Sequence, residues 1–77
     1  MKTDTVLPDV PVRVVLLAHE QMNLLDLSGP LQALATARRD GDRNGPALYE
    51  TIVASVDGGA VTTSCGLPVV TVALSTL

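Results

Sequence analysis

Residues 12–34, VRVVLLAHEQMNLLDLSGPLQAL, carry the signals for a strand, a loop and a helix in succession. The first seven residues, 12–18, form a near-continuous run of β-branched and aliphatic side chains, which predicts a strand buried on both faces of a sheet. The letters HEQMN, residues 19–23, break that run and predict a loop from the strand into a helix. The carboxylate of Asp26 then stands among leucines, where it must either cap the helix or lie in a pocket.

The helix is predicted over about residues 29–39. Leu27 and Leu31 recur there at helical spacing, and Pro30 suits a first helical turn because that position needs no N–H donor. An earlier turn over residues 24–27 also fits the pattern.

A second strand and a β-hairpin are predicted after the helix. The polar cluster DGDRNGP, residues 40–46, ends the helix, and YETIVASV, residues 49–56, is the next strand, closed by the turn signal DGG at residues 57–59. A strand, a helix and a strand in this order favour a right-handed parallel crossover. The β-rich pieces AVTTS and PVVTVAL flank the turn CGLP, residues 65–68, and predict the hairpin.

Composition places the chain in one small domain with an aliphatic core. Of its 77 residues, 47% are hydrophobic and only Tyr49 is aromatic, which is typical of a buried, largely parallel sheet. A net charge of -3 provides no attractive field for nucleic acid or an anionic membrane surface. Prolines and acids near the start argue against a signal peptide, and no run of eighteen apolar residues exists, so a cytoplasmic location is expected.

The charged residues are unevenly distributed. All of them lie at or before Asp57, so the last twenty residues, 58–77, are expected to be buried or paired. This pattern indicates the first part of a longer fold or a surface covered by a partner, and the isolated chain is expected to be marginally stable or to self-associate. Residues 1–11, which contain Pro8 and Pro11, predict a flexible lead-in.

Several motifs are weak or absent. HEQMN begins like the zinc motif H-E-x-x-H but has Asn23 in place of the second histidine, so His19 is interpreted as a loop residue or pocket lining at the carboxyl end of the strand. No phosphate-binding glycine loop is present, and no cofactor or metal is predicted. The arginines near residues 38–43 are expected to form a solvated helix end. Cys65 lies in the predicted hairpin with no obvious base, which argues against a nucleophile.

Asp26 has two interpretations, which can coexist. Its side chain can accept N–H bonds from the oncoming helix while its charge meets the positive end of the helix dipole. Alternatively, partial burial among Leu24, Leu25 and Leu27 would raise its pKa and let it share a proton with a thiol, a base or a ligand.

The sequence resembles the opening of the ThiJ/PfpI superfamily, which has the class I glutamine-amidotransferase-like fold. The resemblance is closest to the N-terminal domain of AraC-type transcriptional regulators. The signature there is an apolar strand, LDLxGP opening a helix, YE before a strand, S-x-DGG, and SSGL before another strand. The matching parts here are residues 25–30, 49–50, 55–59 and 63–67, with Cys65 at a position that is usually small and polar.

The resemblance covers residues 12–77 and implies the N-terminal part of a flavodoxin-like three-layer α/β sandwich, with a mostly parallel sheet plus a β-hairpin. It implies that Asp26 is the family's acid, which in enzymatic members hydrogen-bonds the nucleophilic cysteine. That cysteine follows a later strand and is not Cys65, so this chain alone is not expected to be an enzyme. Residues 18–20 replace the family's aromatic or Pro-Gly element, so a different pocket shape is expected.

Three functions follow from this resemblance. The first is a ligand-sensing or dimerisation domain of an AraC-type regulator, in which a separate helix-turn-helix module contacts DNA. The second is an enzyme similar to isocyanide hydratase, in which Asp26 positions a thiolate and a water. The third is a vestigial pocket retained as an oligomerisation surface. The expected partners are the rest of the domain beyond residue 77, a second copy and a small-molecule ligand, and the sequence YETIVASVDGG favours the regulator.

Overall fold

The computed structural model describes residues 10–77. Its elements, in chain order, are β1 (Val12–Leu17), α1 (Leu24–Thr36), a 3-10 turn (Arg39–Gly41), β2 (Tyr49–Ser55), β3 (Gly59–Thr62), β4 (Pro68–Ala73) and a second 3-10 turn (Leu74–Thr76). The predicted flexible lead-in, residues 1–11, therefore falls almost entirely outside the described residues. No helix within the described range is long and apolar enough to cross a membrane.

The strands form one mixed sheet with the order β1-β2-β4-β3. β1 and β2 are parallel, and their register runs from Val12 opposite Tyr49 to Leu17 opposite Ala54. β4 pairs in parallel with the carboxyl end of β2, where Ala54 and Ser55 lie opposite Val72 and Ala73, and it is antiparallel to β3. The α/β class, the parallel strand-helix-strand unit and the hairpin are thus confirmed.

The helix begins five residues earlier and ends three residues earlier than the predicted span of 29–39. Asn23 is its N-cap, with Oδ1 accepting the Leu25 N–H at 2.9 Å. Pro30 was expected in the first turn but is the seventh helical residue, where it has no N–H to donate to the carbonyl of Asp26. The earlier turn predicted over residues 24–27 is confirmed as the first turn of α1, whereas a start at residue 29 is wrong because Asn23 is the cap and Pro30 is tolerated inside the helix.

α1 covers only one face of the sheet. The buried residues Ala18, Met22 and Leu27 form the core there, and Leu16, Val53 and Val69 pack against it. β1 is an edge strand among the described residues, and its other face is exposed. The prediction that β1 is buried on both faces is therefore wrong for this part of the chain, because no second layer lies against it within residues 10–77.

The uncovered face is apolar, and we call it the open face, defined by Val15, Leu17, Val70 and Val72. Leu17 lies in register with Ala54, and Ala54 with Val72, so these three residues form a row on one side of the sheet. Val70 is 82% exposed. Residues 58–77 were expected to be buried or paired: β3 and β4 are paired, but most of these residues are exposed within the described chain.

Candidate functional site

A cleft of about 220 Å³ lies at the carboxyl ends of β1 and β2. In open α/β sheets, this edge is where ligands bind. Its apolar lining includes Ala18, Val56, Ala60 and Val61. Its charged or titratable lining consists of His19, Glu20 and Asp57, contributed by the loops that follow the two strands.

His19 is both an exposed loop residue and part of the cleft lining, so both interpretations of it are confirmed. Its Nδ1 lies 3.0 Å from the carbonyl oxygen of Glu20. Since a carbonyl oxygen can only accept, Nδ1 carries the proton and donates it. In the neutral ring, Nε2 is therefore left as an acceptor.

The β1–α1 loop is fastened to the hairpin by backbone hydrogen bonds. The Gln21 N–H donates to the Thr62 oxygen at 2.7 Å, and the Ser64 N–H donates to the Met22 oxygen at 2.9 Å. The Thr62 N–H in turn donates to Oε2 of Glu20 at 3.2 Å. Gln21 has a φ of 64°, a left-handed conformation that is uncommon for a residue with a side chain. The surrounding bonds hold this loop shape and fix one wall of the cleft.

The second wall depends on a buried chain of hydroxyl groups. Thr71 Oγ1 donates to the Gly59 oxygen at 2.8 Å, so its partner Ser55, 2.6 Å away, must donate to it. Ser55 Oγ also accepts the Gly58 N–H at 2.9 Å. Because its proton is committed to Thr71, Ser55 is a structural residue of the cleft and not a free nucleophile.

Gly58 allows the turn that carries Asp57 to approach β4 closely. Its φ is +75°, and a Cβ at this position would lie 2.8 Å from the backbone nitrogen of Ala73. No other residue fits there without a shift of the backbone. The DGG turn was predicted from its glycines, but Asp57 was not recognised as a site residue. Its position directly after the second strand was the signal available in the sequence.

Asp26 does not line this cleft. It lies exposed in the first turn of α1, where its charge still faces the positive end of the helix dipole. The capping bond belongs to Asn23, so the prediction that the Asp26 side chain caps the helix is wrong. Leu25 beside it is 75% exposed, so the predicted burial among leucines is also wrong within residues 10–77. A catalytic role for Asp26 stays a prediction.

Cys65 is an exposed residue in the hairpin loop, as predicted, and it is not part of the cleft lining. The Thr63 hydroxyl lies 3.3 Å from Sγ and lowers the pKa of the thiol, with a further contribution from the backbone of Leu67. The same hydroxyl donates to the Leu67 oxygen at 2.8 Å. In the described part of the chain, no group of histidine, cysteine and acidic side chains could hold a metal ion.

The arginines lie at the opposite end of the sheet from the cleft. Nη1 of Arg38 donates to the carbonyl oxygens of Ala35 and Ala37, each at 2.9 Å, which places a cation at the C-terminal end of α1. The predicted role at a helix end is thus confirmed for Arg38 alone, whereas Arg39 lies in the 3-10 turn beyond α1, and both residues are half-buried where a solvated helix end was expected. Nε of Arg13 forms an ion pair with Glu50 at 3.1 Å near the start of the parallel strands.

Comparisons with known proteins add one similar sequence. An "Uncharacterized protein in cpoL 5'region" of Streptomyces lividans is 42% identical over 57 residues, which are 74% of this chain and 37% of that protein. The match thus spans little more than a third of the length of this curated relative. No family model matches the chain, and no solved structure matches it.

Proposed function

We propose that this chain is the N-terminal part of a small-molecule-sensing domain of an AraC-type transcriptional regulator. The observation that carries the proposal is the cleft at the carboxyl ends of β1 and β2, with apolar walls and a few polar groups at its mouth. The sequence features that resemble this branch, residues 49–59 in particular, form β2 and the turn that builds the cleft. DNA is contacted through a separate helix-turn-helix module, since this acidic segment repels phosphates.

The proposal includes a flavodoxin-like three-layer sandwich for the complete domain. Two features of the sheet support it. α1 covers one face, whereas the open face presents Leu17 and Val72 with exposures of 55% and 44%. β1 is also an edge strand among the described residues, with its outer backbone groups unpaired to any described strand. Helices on the open face and a parallel strand beside β1 would bury both features.

The test fills the cleft without touching the DNA-binding module. Ala60 lines the cleft and is exposed, so Ala60→Phe is expected to preserve the fold while occupying the ligand volume. Ala33→Phe, on an exposed position of α1, is the matched control. We expect the intact protein with Ala60→Phe to bind its own upstream DNA with unchanged affinity but to lose ligand-dependent regulation of a reporter gene, and the control to respond normally.

An enzymatic outcome would overturn the proposal. Hydration of an isonitrile by the intact protein, lost in Asp26→Asn while the thermal unfolding midpoint is retained, would indicate the isocyanide-hydratase-like alternative. A reporter response that survives Ala60→Phe would show that the cleft is not the sensing site.

A further inference from the structure

The polar side chains of the cleft are hydrogen-bond acceptors. Glu20 and Asp57 have carboxylate side chains, and an ionised carboxylate accepts hydrogen bonds but cannot donate them. One oxygen of Glu20 already accepts the Thr62 N–H. Nδ1 of His19 lies 3.0 Å from the Glu20 carbonyl oxygen, so the Nδ1–H tautomer presents an acceptor at Nε2. The Ser55 proton is committed to Thr71. A ligand in this cleft must therefore bring the hydrogen-bond donors.

The positive charges of the described chain lie away from the cleft, which likewise favours a ligand that brings positive charge. All arginines of the described chain lie near the amino end of the parallel strands. Arg13 is the second residue of β1, and the segment between α1 and β2 contains Arg38, Arg39 and Arg43. Arg13 is already paired with Glu50 there. Two carboxylates at the cleft thus face no nearby arginine within residues 10–77, so the cleft favours a cation over an anion.

We propose that the cleft is specific for a small organic ammonium ion, with Glu20 and Asp57 as the residues that determine specificity. This inference rests on the proposed ligand-sensing function of the same site. The ammonium group donates to the two carboxylates and to Nε2 of His19, and the attached hydrocarbon lies against Val56 and Val61. A carboxylate or phosphate of the same shape is rejected, because it would bring a like charge beside Glu20 and Asp57.

The experiment uses three probes of nearly equal size: n-butylammonium, 1-butanol and butyrate. Binding to the intact protein is measured by saturation-transfer NMR, which observes the ligand and suits weak affinities. We expect n-butylammonium to bind about tenfold more tightly than butyrate, a difference equivalent to ~1.4 kcal/mol, with 1-butanol in between. Asp57→Asn should remove most of this preference.

Asp40→Asn is the matched control, because it makes the same change in net charge at the other end of the sheet. Asp40 has a φ of 57°, a conformation that asparagine adopts readily, so the control should fold normally. Equal weakening by Asp40→Asn and Asp57→Asn would overturn the inference, since bulk charge and not the cleft would then attract the probe. If butyrate binds as tightly as n-butylammonium and Ala60→Phe abolishes the binding of both, the ammonium specificity is overturned but the ligand-sensing function is not. Absence of cleft binding by all three probes would overturn the ammonium specificity, whereas the reporter response of Ala60→Phe tests the ligand-sensing function separately.

Discussion

At the scale of single residues, the most constrained group is the hydroxyl pair of Ser55 and Thr71, which are 5% and 6% exposed. Thr71→Val replaces the hydroxyl by a methyl group of similar shape, which removes the acceptor of the Ser55 proton and the hydroxyl donor to the Gly59 oxygen. We expect a loss of about 1–3 kcal/mol in the free energy of unfolding. Chemical denaturation of the intact protein measures it.

The control for this substitution is Thr76→Val, whose hydroxyl donates to the Ala73 oxygen at an exposed position. Water can replace that bond, so the change in unfolding free energy should stay within about 0.5 kcal/mol. If both variants lose the same stability, the buried hydroxyl chain has no special role in holding the DGG turn.

Among the elements, the start of α1 is stabilised in two ways that two substitutions can distinguish: the capping hydrogen bond of Asn23 and the charge of Asp26. Asn23→Ala removes the acceptor for the Leu25 N–H and should cost about 1 kcal/mol of unfolding free energy. Asp26→Asn removes only a charge in the first turn and should cost about 0.3–1 kcal/mol, a loss that added salt reduces. Thermal and urea unfolding at two salt concentrations distinguish the two. A larger loss for Asp26→Asn would assign the capping role to Asp26 after all.

Strands and turns were predictable from the sequence, whereas the helix start and the site were only partly so. The second strand was expected to end at Val56 and ends at Ser55. The prediction is this close because β-branched runs and Gly-rich turns are local signals in the sequence. The helix start was misplaced because capping was expected from Asp26, whereas Asn23 is the cap. The cleft required the loops that carry Glu20 and Asp57 to lie at the same edge of the sheet, and that depends on β1 and β2 being parallel neighbours.

At the scale of the whole molecule, the open face determines how the isolated 77-residue chain behaves. We expect it to self-associate at micromolar concentration, since Val70 and Val72 lie on an uncharged and exposed strand. Val70→Glu should shift sedimentation velocity towards the monomer. Leu25→Glu, at a 75% exposed position on α1, should leave the association unchanged. Cooperative unfolding of the unsubstituted chain as a monomer would contradict this expectation.

Pro30 divides α1 into two hydrogen-bonded ladders, because it interrupts the series of backbone donors halfway along the helix. Fraying that starts at the Asn23 end can therefore stop at the proline, while residues 31–36 stay wound. The first turns of α1 are held instead by the buried side chain of Leu27 and by the loop whose Met22 oxygen bonds the hairpin, so unwinding of this half of the helix requires the loss of these contacts.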